Sequence, residues 1–219
     1  AAVHMASAVR YRGVGTFEFL VFTGPQGDGP FAFIEANARL QVEHTVTEAV
    51  TGIDLVQTQL RIADGATLNA LGLEQAQVPA AQGVAVQLRI NMETMLEDGQ
   101  TRPAGGVLSS YEPPSGPGVR VDGFGYAGYA TSVNYDSLLA KLIVHVPSGD
   151  LGLLLAKADR ALSEFGIVGV ATNKVLLHGL LKHPAVRAQQ VHTRFVEEAV
   201  SEILGLGRDA HRELYFGDA

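Results

Sequence analysis

The clearest pattern of apolar and polar positions lies in residues 31–48, FAFIEANARLQVEHTVTE. The segment begins as an apolar strand, and polar side chains then occupy every second position. In an extended chain, residues two apart point to the same side. The alternation therefore predicts one face that carries five polar side chains: Glu35, Asn37, Arg39, Gln41 and Glu43.

A second strand is predicted just upstream, over Thr16 to Phe22, where Glu18 interrupts an apolar run. The turn formers of residues 23–30, TGPQGDGP, predict a hairpin between the two strands. Its simplest register pairs Phe22 with Phe31, Leu20 with Phe33 and Glu18 with Glu35. Like charges directly opposite each other destabilise a sheet, whereas a divalent cation between them would stabilise it.

Two interpretations of this hairpin stay open. Glu18 and Glu35, with Asn37 as a third oxygen donor, have the hard ligands that suit Mg²⁺ or Mn²⁺. Alternatively, the acidic face of the hairpin points into water and binds nothing. The phenylalanines around the two carboxylates favour partial burial, and hence the metal site.

The remaining pattern predicts an α+β chain with a domain boundary near residue 83. An alternating strand, Gly83–Asn91, presents Arg89 on its polar face, and a polar loop is predicted to follow over residues 92–105. Further along, Gly166 ends the predicted helix of residues 148–165. The predicted parts are residues 1–82, residues 83–204 and a loosely ordered tail, 205–219. Helices are predicted over residues 2–10, 43–51, 54–65 (capped by Asp54), 148–165, from Thr172, from Pro184 and over 194–204. Further short strands are predicted in residues 105–114 and 118–124, separated by a turn.

Composition narrows the functional classes. The 219 residues include no cysteine, so disulfides and thiolate metal sites are excluded, and 47% of them are apolar, which suffices for a core. The net charge of −7 without a basic tract argues against a nucleic-acid partner. With no apolar run of membrane-spanning length, we expect a cytoplasmic protein without a membrane partner.

The segment EANARLQVEHTVTEAVTG resembles the active-site signature of biotin carboxylases, E-M-N-x-R-[LI]-Q-V-E-H-x-V-T-E. The resemblance continues in the same order through GVAVQLRIN, GYATSVNYDSLLAKLI and GVATNKVLL, and covers residues 1–204. It implies the C-terminal part of an ATP-grasp domain, an antiparallel sheet with helices, followed by a mixed α/β biotin carboxylase C-terminal domain.

The resemblance also implies a reaction. MgATP phosphorylates bicarbonate to carboxyphosphate, and CO₂ then passes to N1 of biotin on a carrier domain. The family's site residues map onto matching positions: Glu18, Glu35 and Asn37 for two Mg²⁺ or Mn²⁺ ions; Glu18, Leu20, Ile34 and Glu35 for ATP; Arg39, Gln41, Val42 and Glu43 for bicarbonate; Glu43 as general base; and Arg89 for carboxyphosphate and biotin.

Further implications concern partners and completeness. In the family, a glycine-rich lid and phosphate-binding lysines precede this region, so we expect a C-terminal half that is inactive alone. Carrier and carboxyltransferase domains, in the same or separate chains, would be partners in a homodimer or larger assembly. Arg120 falls in a segment of the family's dimer interface, and Asp136 and Lys141 fall in a motif near its active site.

The match departs from the pattern at Ala36, at Gln87, where glutamate is usual, and at residues 91–94. These changes alter the charge around Arg89. Two alternatives stay open: a carbamoyl-phosphate-synthetase-like ligase, against which Gln41 to Glu48 argues, and a non-catalytic dimerisation or docking module. The acceptor, whether acyl-CoA, pyruvate or urea, is not encoded in this stretch.

Overall fold

The computed structural model describes residues 1–22 and 29–210. These residues divide into two compact units, and the boundary lies between Ala81 and Gln82. Both combine helices with antiparallel strands, so the predicted α+β class is confirmed. Most of the turn predicted over residues 23–30 lies outside the described residues. Among those described, no helix is long and apolar enough to cross a membrane.

The described residues of the first unit form a two-stranded hairpin and three helices: α1 Ala2–Ala8, β1 Thr16–Val21, β2 Phe31–Asn37, α2 His44–Thr51 and α3 Leu55–Ala63. Gly52 ends α2 with a left-handed φ of 73°, a conformation that glycine adopts without strain. Asp54 caps α3 as predicted, because its Oδ1 accepts a hydrogen bond from the Gln57 amide at 2.7 Å.

A β-bulge corrects the predicted hairpin register. Glu18 does face Glu35, but the register shifts between Glu18 and Phe19, so that Phe19 pairs with Phe33 and Leu20 with Ala32. The predicted pairs Leu20–Phe33 and Phe22–Phe31 are therefore wrong; the Phe22 amide instead donates to the Pro30 oxygen. The bulge inserts one extra residue of β2 next to the carboxylate pair and increases the local twist.

The second unit is built on a three-stranded antiparallel sheet in the order β3-β8-β7. One face of the sheet packs on helix α4 through a buried cluster that includes Leu142, Ala158 and Leu162. The opposite face carries Arg89, Lys141 and Asp122 together with the buried Ile143. The elements are β3 Val84–Asn91, β4 Glu93–Met95, β5 Thr101–Pro103, β6 Ser110–Glu112, β7 Val119–Gly123, β8 Leu138–Val146, α4 Leu151–Glu164, β9 Gly166–Val168, α5 Lys174–Lys182, α6 Pro184–Arg187 and α7 Phe195–Ala210.

Two short sheets contain strands that the sequence did not predict: β4, β5 and β9. The polar loop expected over residues 92–105 contains the hairpin β4–β5, and its turn has Gly99 at φ 82° after Asp98. Asp-Gly between strand residues is a hairpin signal, so this feature was readable in the sequence. Gly166, expected only to end a helix, also starts β9, which pairs with β6.

Helices α5 and α7 approach each other through two glycines. A Cβ on Gly179 would lie 1.9 Å from the Ile203 oxygen, and one on Gly207 would lie 1.9 Å from the Val175 oxygen. The helix predicted to end at Leu204 therefore continues to Ala210. That prediction was wrong because Gly205 and Gly207 suggested a loose tail, whereas Gly207 is a packing residue.

Candidate functional site

Two opposed carboxylates are bridged by an amide at the bulged end of the β1–β2 hairpin. Glu18 and Glu35 are directly opposite residues. Asn37 Nδ2 donates to Glu35 Oε1 at 2.8 Å and to Glu18 Oε1 at 3.1 Å. The amide thus offsets the repulsion between two negative charges that share one face.

Gln41 joins this cluster from outside the strand. Its Nε2 donates to Glu18 Oε1 at 3.2 Å. β2 ends at Asn37, and a bend and a turn then lead into α2. The prediction of one extended face from Glu35 to Glu43 is therefore wrong beyond Asn37, and Gln41 reaches Glu18 because the chain folds back.

The other residues assigned to bicarbonate lie along this turn. Arg39 is exposed, and its Nη1 donates to the Leu40 oxygen at 3.3 Å. Glu43 occupies the N-cap position of α2 and is exposed. Gln41 and Val42 are partly buried between them.

Arg39 also lines a cavity of about 470 Å³ within the first unit. Arg12 on the segment before β1 and Gln59 on α3 contribute to the same wall. Leu20 and Ile34, which the resemblance assigns to ATP, are both exposed, at 50% and 57%. Their apolar side chains leave an uncovered surface beside the carboxylate pair.

The donor set of this cluster fits a hard divalent cation. Glu18 and Glu35 supply carboxylate oxygens, and a half-turn of the Asn37 amide would present its oxygen where its nitrogen now faces both carboxylates. In the described ranges there is no group of three or more histidine, aspartate or glutamate side chains that could hold a metal. A metal here would therefore depend on the amide oxygen and on ligands outside this cluster.

Arg89 lies in the second unit, at one end of a charged row across the sheet. Lys141 on β8 is its direct partner, and Asp122 on β7 is the partner of Lys141 on the other side. Arg120 forms two hydrogen bonds with Asp122, Nε to Oδ1 at 2.7 Å and Nη2 to Oδ2 at 2.8 Å. Gln87, the departure noted in the sequence, points to the same face one row away.

Asn173, for which the sequence predicts no role, fixes the backbone on both sides of Ile90, directly after Arg89. Its Nδ2 donates to the Arg89 oxygen at 3.1 Å, and its Oδ1 accepts from the Asn91 amide at 3.0 Å. Its own amide donates to the Asn91 oxygen at 3.1 Å. Asn173 is 6% exposed and thus extends the hydrogen bonding of the edge strand β3. Only its proximity to a predicted helix start could have drawn attention to it.

Comparison with known proteins defines the family. Residues 87–198, more than half of the chain, match the biotin carboxylase C-terminal domain. The chain belongs to the biotin carboxylase family. Residues 1–71 match the ATP binding domain of the carbamoyl-phosphate synthase L chain.

Individual biotin carboxylases align over nearly all of the chain. The biotin carboxylase of Nostoc sp. (strain PCC 7120) is 43% identical over 90% of this chain and 42% of its own length. The biotin carboxylase domain of a single-chain bacterial carboxylase has a TM-score of 0.83 and 47% identity over 95% of this chain and 46% of its own. The chain therefore spans less than half the length of these relatives.

A third relative was solved with ligands. The biotin carboxylase domain dimer of the Hydrogenobacter thermophilus 2-oxoglutarate carboxylase, in complex with MgADP, ADP and bicarbonate, has a TM-score of 0.81. It is 35% identical over 92% of this chain and 42% of its own length.

Proposed function

We propose that this chain supplies the bicarbonate- and metal-binding part of a biotin carboxylase, an ATP-dependent ligase that carboxylates carrier-bound biotin through carboxyphosphate. The observation that carries the proposal is the Glu18–Asn37–Glu35 cluster with Gln41 bonded to it. The family membership and the bicarbonate and MgADP named for the Hydrogenobacter relative support it. The expected inactivity of this stretch by itself stays a prediction.

Each side chain has a role that suits its chemistry. Glu18, Glu35 and Asn37 would hold two Mg²⁺ or Mn²⁺ ions, which would neutralise charge at the phosphates of ATP. Leu20 and Ile34 would cover the adenine with apolar surface. Arg39 would bind bicarbonate through its planar guanidinium, assisted by Gln41 and the Val42 backbone.

Glu43 is proposed as the general base that takes the proton of bicarbonate. It lies at the N-cap position of α2 and is exposed, so a bound anion can reach its carboxyl group. Arg89 is proposed to stabilise the charge on carboxyphosphate and on the biotin enolate. A biotin carrier domain, a carboxyltransferase, a homodimeric or larger assembly and a cytoplasmic location complete the proposal.

The carbamoyl-phosphate-synthetase-like alternative has one observation in its favour, the match of residues 1–71. The match of residues 87–198 to the biotin carboxylase C-terminal domain favours the first proposal. The two functions differ in the acceptor of the activated carboxyl group, which is biotin in one and ammonia in the other.

The decisive experiment measures phosphate release from ATP by the longest native polypeptide that contains this chain. Bicarbonate, biotin and ammonia are each omitted or added in turn. Release that requires bicarbonate and rises with biotin is the expected result. Release that ignores biotin and responds to ammonia would overturn the proposal in favour of the alternative.

A further inference from the structure

Arg89 and Lys141 place two positive charges opposite each other on one face of the sheet. They are direct partners on β3 and β8, and side chains of direct partners lie on the same face within about 5 Å of each other at Cβ. The Lys141 side chain is only 13% exposed, so water screens its charge poorly. Like charges in this arrangement repel each other.

Asp122 offsets this repulsion from the other side of Lys141. It is the partner of Lys141 on β7, and its Oδ2 lies 3.4 Å from Lys141 Nζ. The same carboxylate is held by the two hydrogen bonds from Arg120. Burial alone would raise the pKa of Asp122, but the hydrogen bonds and charges of Arg120 and Lys141 outweigh it and lower that pKa.

The direction of this ion pair matters for Arg89. Asp122 draws the ammonium of Lys141 towards β7, which is the side of β8 away from Arg89. Without the carboxylate, the flexible stem of Lys141 could turn its charge towards β3. A cation there would compete with Arg89 for an anion and would displace the guanidinium by repulsion.

We propose that Asp122 is a positioning residue for Arg89: it holds Lys141 towards β7 and thereby leaves the Arg89 guanidinium oriented for carboxyphosphate and biotin. This role rests on the proposed function. It assigns to the pair Asp122–Lys141 an electrostatic task that the resemblance does not assign to either residue, and it links edge strand β7 to the proposed biotin site.

The test is a double-mutant cycle in the active parent polypeptide. Asp122→Asn should lower the biotin-dependent kcat about fivefold, with the KM for MgATP unchanged, because Lys141 then loses the carboxylate that holds it towards β7. Adding Lys141→Met removes the second cation and should restore kcat to within about twofold of the parent. Asp122→Glu, which keeps the charge, should retain most of the activity.

The controls distinguish a loss of the positioning of Arg89 from a loss of the folded structure. Glu164→Gln removes a surface partner of Arg160 on α4 and should leave all rates unchanged. Thermal unfolding of each variant reports whether it is folded. Lys141→Met alone should be active, and its kcat should not change when Asp122→Asn is added. This comparison does not depend on the stability of the single Asp122→Asn variant.

The outcomes distinguish the two levels of inference. If the parent shows biotin-dependent phosphate release, but Lys141→Met does not reverse the loss of kcat caused by Asp122→Asn, the positioning role alone is overturned. A parent whose release ignores biotin would overturn the proposed function, and the positioning role with it.

Discussion

The side chain of Asn173 donates a hydrogen bond to the main-chain oxygen of Arg89 at 3.1 Å. Asn173 precedes α5, whereas Arg89 lies on the edge strand of the sheet. The bond therefore ties the strand that presents the proposed biotin residue to the helical layer.

Asn173→Ala should destabilise the second unit and impair the use of biotin. The change leaves the Arg89 oxygen and the Asn91 amide without their partner, which costs about 2–3 kcal/mol in the free energy of unfolding. Urea unfolding of the chain measures this loss, and the exposed Asn69, changed to alanine, is the matched control. Equal stability of the two variants would contradict the role of Asn173.

Glu43→Gln tests the proposed base. The amide keeps the shape of the side chain but cannot accept the proton of bicarbonate, so turnover of the active parent should fall by about 10²–10⁴. Binding of MgATP should change little. Phosphate release and nucleotide titration measure the two effects, with the exposed Glu74→Gln as control; undiminished turnover would exclude Glu43 as the base.

Glu35→Gln should have opposite effects on stability and on metal use. Without added metal, the change removes one of two opposed charges and should stabilise the hairpin by up to about 1 kcal/mol. The Mg²⁺ concentration for half-maximal phosphate release by the parent should rise, because a carboxylate ligand is lost. Hydrogen exchange of the β1 and β2 amides measures the stability of the hairpin, and a Mg²⁺ titration of phosphate release measures the metal requirement. An unchanged Mg²⁺ requirement would argue against the metal site.

Tyr111→Phe should leave the protein as stable as before or slightly more stable. The hydroxyl of Tyr111 is buried without a hydrogen-bond partner in the described part of the chain, and burial raises its pKa. Removing an unsatisfied polar atom costs nothing in hydrogen bonding. Gly123→Ala is the contrasting variant, since its Cβ would lie 2.1 Å from the same hydroxyl. Thermal unfolding should show a clear loss of stability for Gly123→Ala. A loss of stability in Tyr111→Phe would contradict the view that the hydroxyl has no hydrogen-bond partner.

Asp159 should make the second unit sensitive to acid. Burial opposes the ionisation of Asp159. His178 Nδ1, 2.7 Å from Oδ1, and Lys182 Nζ, 3.6 Å from Oδ2, outweigh this effect of burial and lower the pKa of Asp159 below its ordinary value of 3.8. The unfolded state then binds more protons than the folded state. The contribution of Asp159 to the free energy of unfolding is therefore complete above the ordinary pKa and is lost as the pH falls through the lowered pKa.

Urea unfolding from neutral pH down past that value measures the effect. Asp159→Asn should be less stable than the parent at neutral pH and should show a flatter decline in acid. Parallel curves for the two proteins would exclude this pair as a source of acid sensitivity.

The sequence predicted the elements whose signal is local. The Asp54 cap, the alternation of β3 and the opposition of Glu18 and Glu35 depend on residues close in the chain or on one simple turn. The bulge between Glu18 and Phe19 was not predictable in this way, because a register shift depends on packing across both strands.

Long-range contacts account for the residues that were missed. Asn173 lies 84 residues from Arg89, and no periodic pattern connects them. Asp122 owes its importance to the order of strands in the sheet, with β8 between β3 and β7. The roles of Arg39, Glu43 and Arg89 come from the resemblance, since each of them alone is an ordinary exposed residue.

The close approach of α5 and α7 has a consequence for how this sequence can vary. At Gly179 and Gly207 the facing atoms are main-chain carbonyl oxygens, which cannot move aside as a flexible side chain can. A substitution at either position forces the helices apart, and a compensating second mutation has no side chain to shrink. In a deep mutational scan of the complete enzyme, these two sites should therefore be as intolerant as the proposed catalytic residues, although they contact no substrate.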